Sequence, residues 1–443
     1  MALFINRGDV RCKIPMIFLT GIATSFFFFP FSFYALPGIN TKMMIAVLGV
    51  GVLGWKCLVN RRLDISGELL WLIAVSGLFS LIGLLSVDYN RTSDYSYAFY
   101  IVSMLVWSGA AYGVVWLIQL THNTLSYRLL VNYLLAVCVM QCFFALLIDF
   151  EPSVKEVINT FVSQQEDLME RIGRLYGIGA SVDVAGTRFA AVLAITMVLL
   201  CTDEQIPKQK LPLVVYLISF VIVAVVGMMI ARTTLLGLIV AFCYFIYATR
   251  VFHLNDVKRN SLLLWGWTAM ILFVMTLFIV FLYYTDKDIR HLIKFAFEGF
   301  FNWYEKGTWS TDSTEHLKTM VVFPEHLKTW LIGDGYFENP YLTDPNYVGE
   351  KIEGFYMGTD VGYLRFIFYC GLPGLIVFLL FFLLLTVFNS RKYIHEKHLF
   401  LILFILQLMI FGKVSTDIFL IYAYFFCAGV CEKKKTNLIQ PDL

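Results

Sequence analysis

Charge is scarce in this sequence. Only 15% of its 443 residues are Asp, Glu, Lys or Arg, whereas 59% are hydrophobic and 17% aromatic. Soluble chains average about 25% charged residues. With a mean hydropathy of +0.73, the deficit excludes an ordinary soluble domain and leaves no basic surface for nucleic acid. It points to an integral membrane protein whose first partner is the lipid bilayer. The net charge of +2 says little by itself, because the positive residues are spread unevenly.

Thiol and metal chemistry are missing as well. The nine cysteines, Cys12, Cys57, Cys138, Cys142, Cys201, Cys243, Cys370, Cys427 and Cys431, show no CxxC spacing. Neither a disulfide framework nor a thiolate metal site is implied. Cys138 and Cys142 are four apart on a helix, but no His or carboxylate stands near them, so they read as small buried residues. There is no Walker loop and no HExxH, hence no sign of an ATPase or a bound zinc. No metal and no cofactor is expected. Charges deep inside the apolar runs are few, which weighs against an ion-coupled transporter.

What the sequence does contain is a series of apolar runs. A helix needs about 20 apolar residues to cross the hydrocarbon core. On that criterion the spans fall at 14–34, 42–59, 67–87, 95–118, 129–149, 183–201, 211–231, 234–249, 261–284, 371–389, 399–412 and 417–431. The run Ile14 to Phe33 is read as a retained span, since no small-x-small cleavage site follows it. The expected fold is an all-α polytopic membrane protein of about 12 transmembrane helices with one large, partly helical outer loop. Residues 1–284 form an N-terminal bundle with an outer segment at 150–182, residues 285–358 form the loop, and 359–443 carry a surface helix and the last three spans.

Orientation follows from the Lys/Arg bias. Arg7, Arg11, Lys13, Arg61, Arg62, Arg128, Lys208, Lys210, Arg250, Lys258, Arg259, Arg391, Lys392, Lys397 and Lys433-Lys434-Lys435 all fall on one side. That side is expected to be cytoplasmic, with both termini on it. The segments 150–182 and 285–358 then lie outside, in the periplasm of a bacterium whose inner membrane holds the protein.

The outer loop has its own pattern. Ile289, Leu292, Ile293, Phe297, Phe300, Phe301 and Tyr304 line one face at helical spacing, which predicts an amphipathic helix on the outer leaflet. A second helix is expected over 313–331. It opens with Asp312-Ser313-Thr314-Glu315 as a capping box, is kinked by Pro324 and ends at Gly333-Asp334-Gly335. The run 359–389 is too long for one upright span: about 31 residues of helix measure about 46 Å against a core of about 30 Å. Gly371-Leu372-Pro373-Gly374 is the expected break, leaving a short surface helix at 360–370.

Candidate site residues gather at the outer ends of spans. Arg171 and Arg174 stand in Glu170-Arg171-Ile172-Gly173-Arg174-Leu175-Tyr176-Gly177. Arg188 follows just inside the next span. Arg232 is wedged between two spans with almost no loop. His316 and Lys318 lie on the loop helix, and Asp360 opens the short helix. Each has a plainer reading: solvated loop charges for Arg171 and Arg174, snorkelling to headgroups for Arg188, Arg232 and Arg365, a helix cap for Asp360, and a surface histidine for His316.

The order of these features resembles the O-antigen polymerase and ligase family. Its pattern includes an Arg-led, leucine-rich run after a span, matched by Arg232-Thr233-Thr234-Leu235-Leu236-Gly237. A loop helix closing on Gly-x-Gly is matched by His316 to Trp330 and Gly333-Asp334-Gly335. A polar pair before Tyr-Leu and Gly-Leu-Pro-Gly is matched by Thr359-Asp360, Tyr363-Leu364 and Gly371-Leu372-Pro373-Gly374. An Arg to Gly run in the middle outer segment is matched by Arg174 to Gly177. The resemblance covers about residues 150–390.

The resemblance implies a metal-independent, inverting glycosyltransferase. It joins polyprenyl-diphosphate-linked oligosaccharides into a surface polysaccharide and has a chain-length regulator as protein partner. Arg232, Arg174, Arg171 and Lys318 would bind the diphosphate, and Asp360 and His316 would act at the acceptor. Two departures stand out. His316 and Lys318 occupy the place of the family's loop Arg, and Asp360 stands where ligases carry His. The second favours polymerase over ligase and leaves the proton acceptor open. A ligase moving finished chains to another lipid is the alternative within the family, and a polysaccharide flippase the alternative outside it.

Overall fold

A computed structural model describes residues 10–61, 66–163, 173–251, 259–345, 347–349, 351 and 354–439. Among the described residues the chain is helical apart from one two-residue strand pair and the connecting turns. The helices, in order, are α1 (Val10–Phe28), α2 (Thr41–Asn60), α3 (Gly67–Asn90), α4 (Tyr100–His122), α5 (Tyr127–Phe150), α6 (Pro152–Phe161), α7 (Val182–Thr202), α8 (Lys210–Ile230) and α9 (Thr234–Thr249). They continue as α10 (Arg259–Thr285), α11 (Lys287–Ala296), α12 (Glu298–Lys306), α13 (Asp312–Thr319), α14 (Leu327–Leu331), α15 (Pro340–Thr343), α16 (Gly362–Lys392), α17 (Lys397–Phe411) and α18 (Phe419–Ile439).

Eight of these, α2, α3, α4, α5, α7, α8, α10 and α16, are long and apolar enough to cross a membrane. Four shorter apolar stretches lie in α1, α9, α17 and α18. The protein is therefore a membrane-embedded helical protein. Every backbone group inside a helix is paired within its own segment, which is why helices serve as spans.

The chain forms two compact units, each discontinuous in sequence. The first comprises Met1–Arg61, Trp107–Ala296 and Leu420–Leu443, and the second Arg62–Val106 and Phe297–Phe419.

In the first unit α7 is the central helix, packed against α5, α8 and α9. Its sequence carries Ala185, Gly186, Ala190, Ala191 and Ala194, and Phe189 through Ile195 are all buried. Small residues let helix backbones approach closely where lipid supplies no hydrophobic drive between helices. Polar side chains at span depth bond to one another: Thr20 with Thr121 at 2.9 Å, and Gln141 Nε2 to Ser25 Oγ at 3.2 Å. Strands β1 (Ser32–Phe33) and β2 (Val162–Ser163) pair antiparallel, tying the end of α1 to the segment after α6.

In the second unit α16 packs against α3, α14 and α17. Phe79, Tyr97, Phe366 and Phe378 form an aromatic core, with Phe366 and Phe378 stacked at 4.5 Å and Tyr97 edge-on to Phe366 at 4.9 Å.

The expected break in α16 is there. Cys370 and Gly371 leave helical geometry, Gly371 at φ 68 and ψ −177. The Gly-x-Gly after α14 fits against that kink. Gly335 N donates to Tyr369 O at 3.2 Å, a Cβ on Gly333 would lie 2.5 Å from Tyr369 O, and one on Gly371 would lie 2.7 Å from Leu331 O. The two glycine motifs, some forty residues apart in sequence, are the two halves of one tight crossing. Gly371→Ala is therefore expected to destabilise the protein by about 2–5 kcal/mol, since its backbone region suits only glycine and its Cβ meets backbone. Gly266→Ala, a helical position with nothing within 4 Å, is expected to stay within about 1 kcal/mol of wild type. Thermal unfolding of both variants in detergent, read against wild type, checks the pair.

The loop helices differ from expectation in detail. The amphipathic stripe splits at Phe297. Leu292 and Ile293 of α11 are buried, and α11 lies against α8 and α10, whereas Phe300, Trp303 and Tyr304 of α12 are exposed. The second helix is not one kinked element. It is α13 and α14, separated by 320–326, where Pro324 O accepts from Trp330 Nε1 at 3.0 Å. Its cap is Thr311, whose hydroxyl accepts from Thr314 N at 3.1 Å, one residue earlier than the capping box placed it.

Candidate functional site

In the first unit the site is built on the turn between α8 and α9. Ala231 ends α8, and its Cβ lies where a Cβ on Gly186 of α7 would fall, 2.8 Å away. Thr233 Oγ1 donates to the Asp183 carboxylate at the start of α7, and Thr234 Oγ1 reaches back to Gly227 O at 3.0 Å. Small and hydroxyl residues thus lock the turn from both sides. Arg232, the one long side chain in it, projects toward α11. Its Nε donates to Phe295 O at 3.2 Å, and its guanidinium lies 4.2 Å from the Phe295 ring.

Arg174 arrives at the same ring, 4.9 Å from it. It precedes a tight loop closed by Gly177 N donating to Ala180 O at 2.8 Å. Its Nε is buried and has no hydrogen-bond partner among the described residues. A buried donor left unmade costs about 1–3 kcal/mol, and a guanidinium is matched by paired phosphate or carboxylate oxygens. Arg188, two turns into α7, lies over Phe28 and Phe29 at 6.0 and 5.6 Å. Arg171 lies outside the described residues.

In the second unit Asp360 precedes α16 but does not cap it. The cap position is Val361, with no side-chain bond to the helix. The cap reading of Asp360 is therefore corrected. Its carboxylate instead stands 4.0 Å from Arg365 Nη1 and is about a third exposed. Nor does Arg365 snorkel. It is 4% exposed, held between the Phe337 and Phe355 rings at 3.8 and 3.4 Å. It donates to Ser415 Oγ at 2.6 Å, Phe337 O at 2.9 Å and Glu338 Oε1 at 3.3 Å. Burial pushes the Glu338 carboxyl above the usual range, against the pull of Arg365. Asp94 Oδ2 accepts from Phe337 N and Glu338 N, both at 2.7 Å.

His316 is exposed on α13. Its neighbour Leu317 packs against the cluster of Val361, Leu364 and Phe368, so α13 rests beside the start of α16. His316 and Asp360 thereby flank one hydrophobic cluster. Lys318 is exposed and pairs with Glu315 at 2.8 Å on its own helix.

The structure thus gathers Arg174 with Arg232, and packs Leu317 of α13, the neighbour of His316, against the start of α16. Asp94, Asp183 and Glu338 were not among the candidates read from the sequence. Each acts on chain far from it, so no local pattern marks it. No family model matches this chain, and no curated protein matches it.

Proposed function

We propose that this protein is a membrane glycosyltransferase that polymerises polyprenyl-diphosphate-linked oligosaccharide units into a surface polysaccharide. The observation that carries the reading is the meeting of Arg232 and Arg174 on the Phe295 ring, with a buried Arg174 Nε unmatched among the described residues. Two guanidinium groups held on one ring suit a diphosphate. In the reaction an acceptor hydroxyl attacks the anomeric carbon, the bond from that carbon to the diphosphate breaks, and the diphosphate takes the electron pair. Charge builds on the leaving group, so fixed guanidiniums favour the transition state over the ground state. The resemblance, not the placement of these residues, supports Asp360 and His316 as the acceptor-side groups, one of which would take the hydroxyl proton. The resemblance in the order of motifs supports the same chemistry.

The twelve apolar stretches are read as spans. Both termini then lie in the cytoplasm and 150–182 and 285–358 in the periplasm, as the Lys/Arg bias requires. In spheroplasts, an impermeant thiol reagent is expected to label Thr343→Cys and spare Lys434→Cys in a background without native cysteines. The opposite pattern reverses the orientation.

The reaction itself is tested by reconstitution in liposomes with polyprenyl-diphosphate-linked repeat units. A ladder of products with release of polyprenyl diphosphate is expected. Transfer only onto a second lipid acceptor would mark a ligase. Movement of intact units across the bilayer would mark a transporter.

A further inference from the structure

The second unit carries a feature that the diphosphate chemistry does not use. Tyr336, Tyr341, Tyr347 and Tyr356 form one contiguous cluster. Tyr336 lies 5.2 Å from Tyr356 at 37° and 5.6 Å from Tyr347 at 85°, and Tyr341 lies 5.3 Å from Tyr347 at 73°. Two of the hydroxyls are tied within the loop. Tyr336 donates to Asp344 Oδ2 at 2.8 Å and Tyr341 to Gly349 O at 2.8 Å. Burial, and then the neighbouring carboxylate, raises the Tyr336 and Tyr356 hydroxyls above their ordinary value, so both stay protonated. Tyr341 is 46% exposed, and Tyr336, Tyr347 and Tyr356 are half-buried. What the tied rings offer outward is face and edge.

Two carboxylates lie against these rings, Asp344 beside Tyr336 and Asp334 beside Tyr356. Asp334 accepts from Lys328 Nζ and Thr329 Oγ1, both at 2.9 Å, and Glu338 and Asp360 are partly exposed. Ring faces accept C–H surfaces, and ionised carboxylates accept only from donors. A ligand with a flat C–H face and a rim of O–H donors satisfies both, and that is a pyranose. A carboxylate has about four lone-pair sites, so oxygens already facing Lys328, Thr329 or Arg365 still accept from a hydroxyl, which an acyl chain does not supply. Asp334, Asp344, Glu338 and Asp360 outnumber Lys328 and Arg365, which disfavours an anionic ligand. The cluster is also continuous with Asp360. Phe355, the residue before Tyr356, stacks on the Arg365 guanidinium that faces Asp360 at 4.0 Å.

We propose that the Tyr336, Tyr341, Tyr347 and Tyr356 cluster is a binding subsite for an uncharged oligosaccharide, which it holds beside Asp360. That the bound chain is the acceptor rests on the glycosyltransferase reading; that the site binds glycan does not.

The test is binding to the full-length protein in lipid nanodiscs, with maltohexaose, cellohexaose and chitohexaose as neutral probes and hexagalacturonate as the acidic one. Saturation-transfer NMR detects contact, and calorimetry gives affinity. At least one neutral probe is expected to bind. The Tyr341→Ala/Tyr347→Ala pair is expected to weaken it about ten-fold, the worth of two stacked rings. Tyr341→Phe is expected to keep wild-type affinity, because the face and not the hydroxyl makes the contact. Hexagalacturonate is expected to bind at least about ten-fold more weakly than the best neutral probe. The proposal is overturned if no neutral probe binds, if the double variant binds as tightly as wild type, or if the acidic probe binds equally well. Should the double variant fail to assemble, Tyr341→Ala at its half-exposed position carries the same comparison. A wild-type protein that binds neutral glycan but makes no polymer would defeat the transferase reading and leave the subsite standing.

Discussion

Arg232→Ala is expected to lower polymer formation by about 100-fold or more, the usual loss when one transition-state donor is removed. The guanidinium is held by its bond to Phe295 O and by the Phe295 ring. It therefore reaches a ligand without first losing side-chain freedom. The turn that carries it is fixed by Thr233 to Asp183 and Thr234 to Gly227, not by Arg232 itself. Protein levels are thus expected to stay near wild type. Arg232→Lys is expected to rescue poorly, because an ammonium lacks the planar fork and stacks less well. Arg174→Ala should cost less than the sum when added to Arg232→Ala, since both act at one ring and share one ligand. The measurement is polymer yield per folded protein for the single and double variants. Full-length polymer at normal yield from Arg232→Ala would remove this residue from the site.

Asp360→Asn is expected to lose most polymer formation, about 100-fold, while the protein folds normally and lipid-linked single units accumulate. The structure makes this comparison cleaner than the sequence could. Val361, not Asp360, holds the cap position of α16, and Asn keeps the shape and one acceptor oxygen of Asp, so Asp360→Asn is the variant that leaves the local bonding closest to wild type. Arg365 retains Ser415, Phe337 O and Glu338 as acceptors when the Asp360 charge is gone. The Asp360 carboxylate, a third exposed and 4.0 Å from the guanidinium, is the more distant of the two that face Arg365, Glu338 standing at 3.3 Å. Arg365 itself is buried, and it keeps the Glu338 carboxylate as its nearer ionic partner when the Asp360 charge is removed, so it is not left as an unpaired buried charge. Loss of polymer with unchanged protein level therefore reports on the reaction. Normal polymer from Asp360→Asn would falsify the assignment and move the acceptor-side role to His316, which lies by the same cluster through Leu317.

Several features of the fold were legible in the sequence, for local reasons. Spans are marked by long apolar runs because each helix satisfies its own backbone and needs only length and greasiness to cross. The break at Gly371 was legible because a 31-residue helix is longer than the hydrocarbon core. Arg232 stood out because a cation between two spans has few plain explanations.

What the sequence by itself determined, then, is a membrane-embedded helical chain whose scarce charges gather at span ends and in two polar segments. Only the tertiary structure decided which of those residues meet. It brought Arg174 to the ring that holds Arg232, although 58 residues separate them, and seated Gly333-Asp334-Gly335 in the kink at Gly371. It turned Arg365 inward, and it made Asp94 the acceptor for Phe337 N and Glu338 N, 243 and 244 residues away. Helical periodicity and span length are properties of neighbours along the chain. A stacked guanidinium or a carboxylate bound to distant backbone depends on contacts that the chain makes only once its helices have packed, and no local pattern records them.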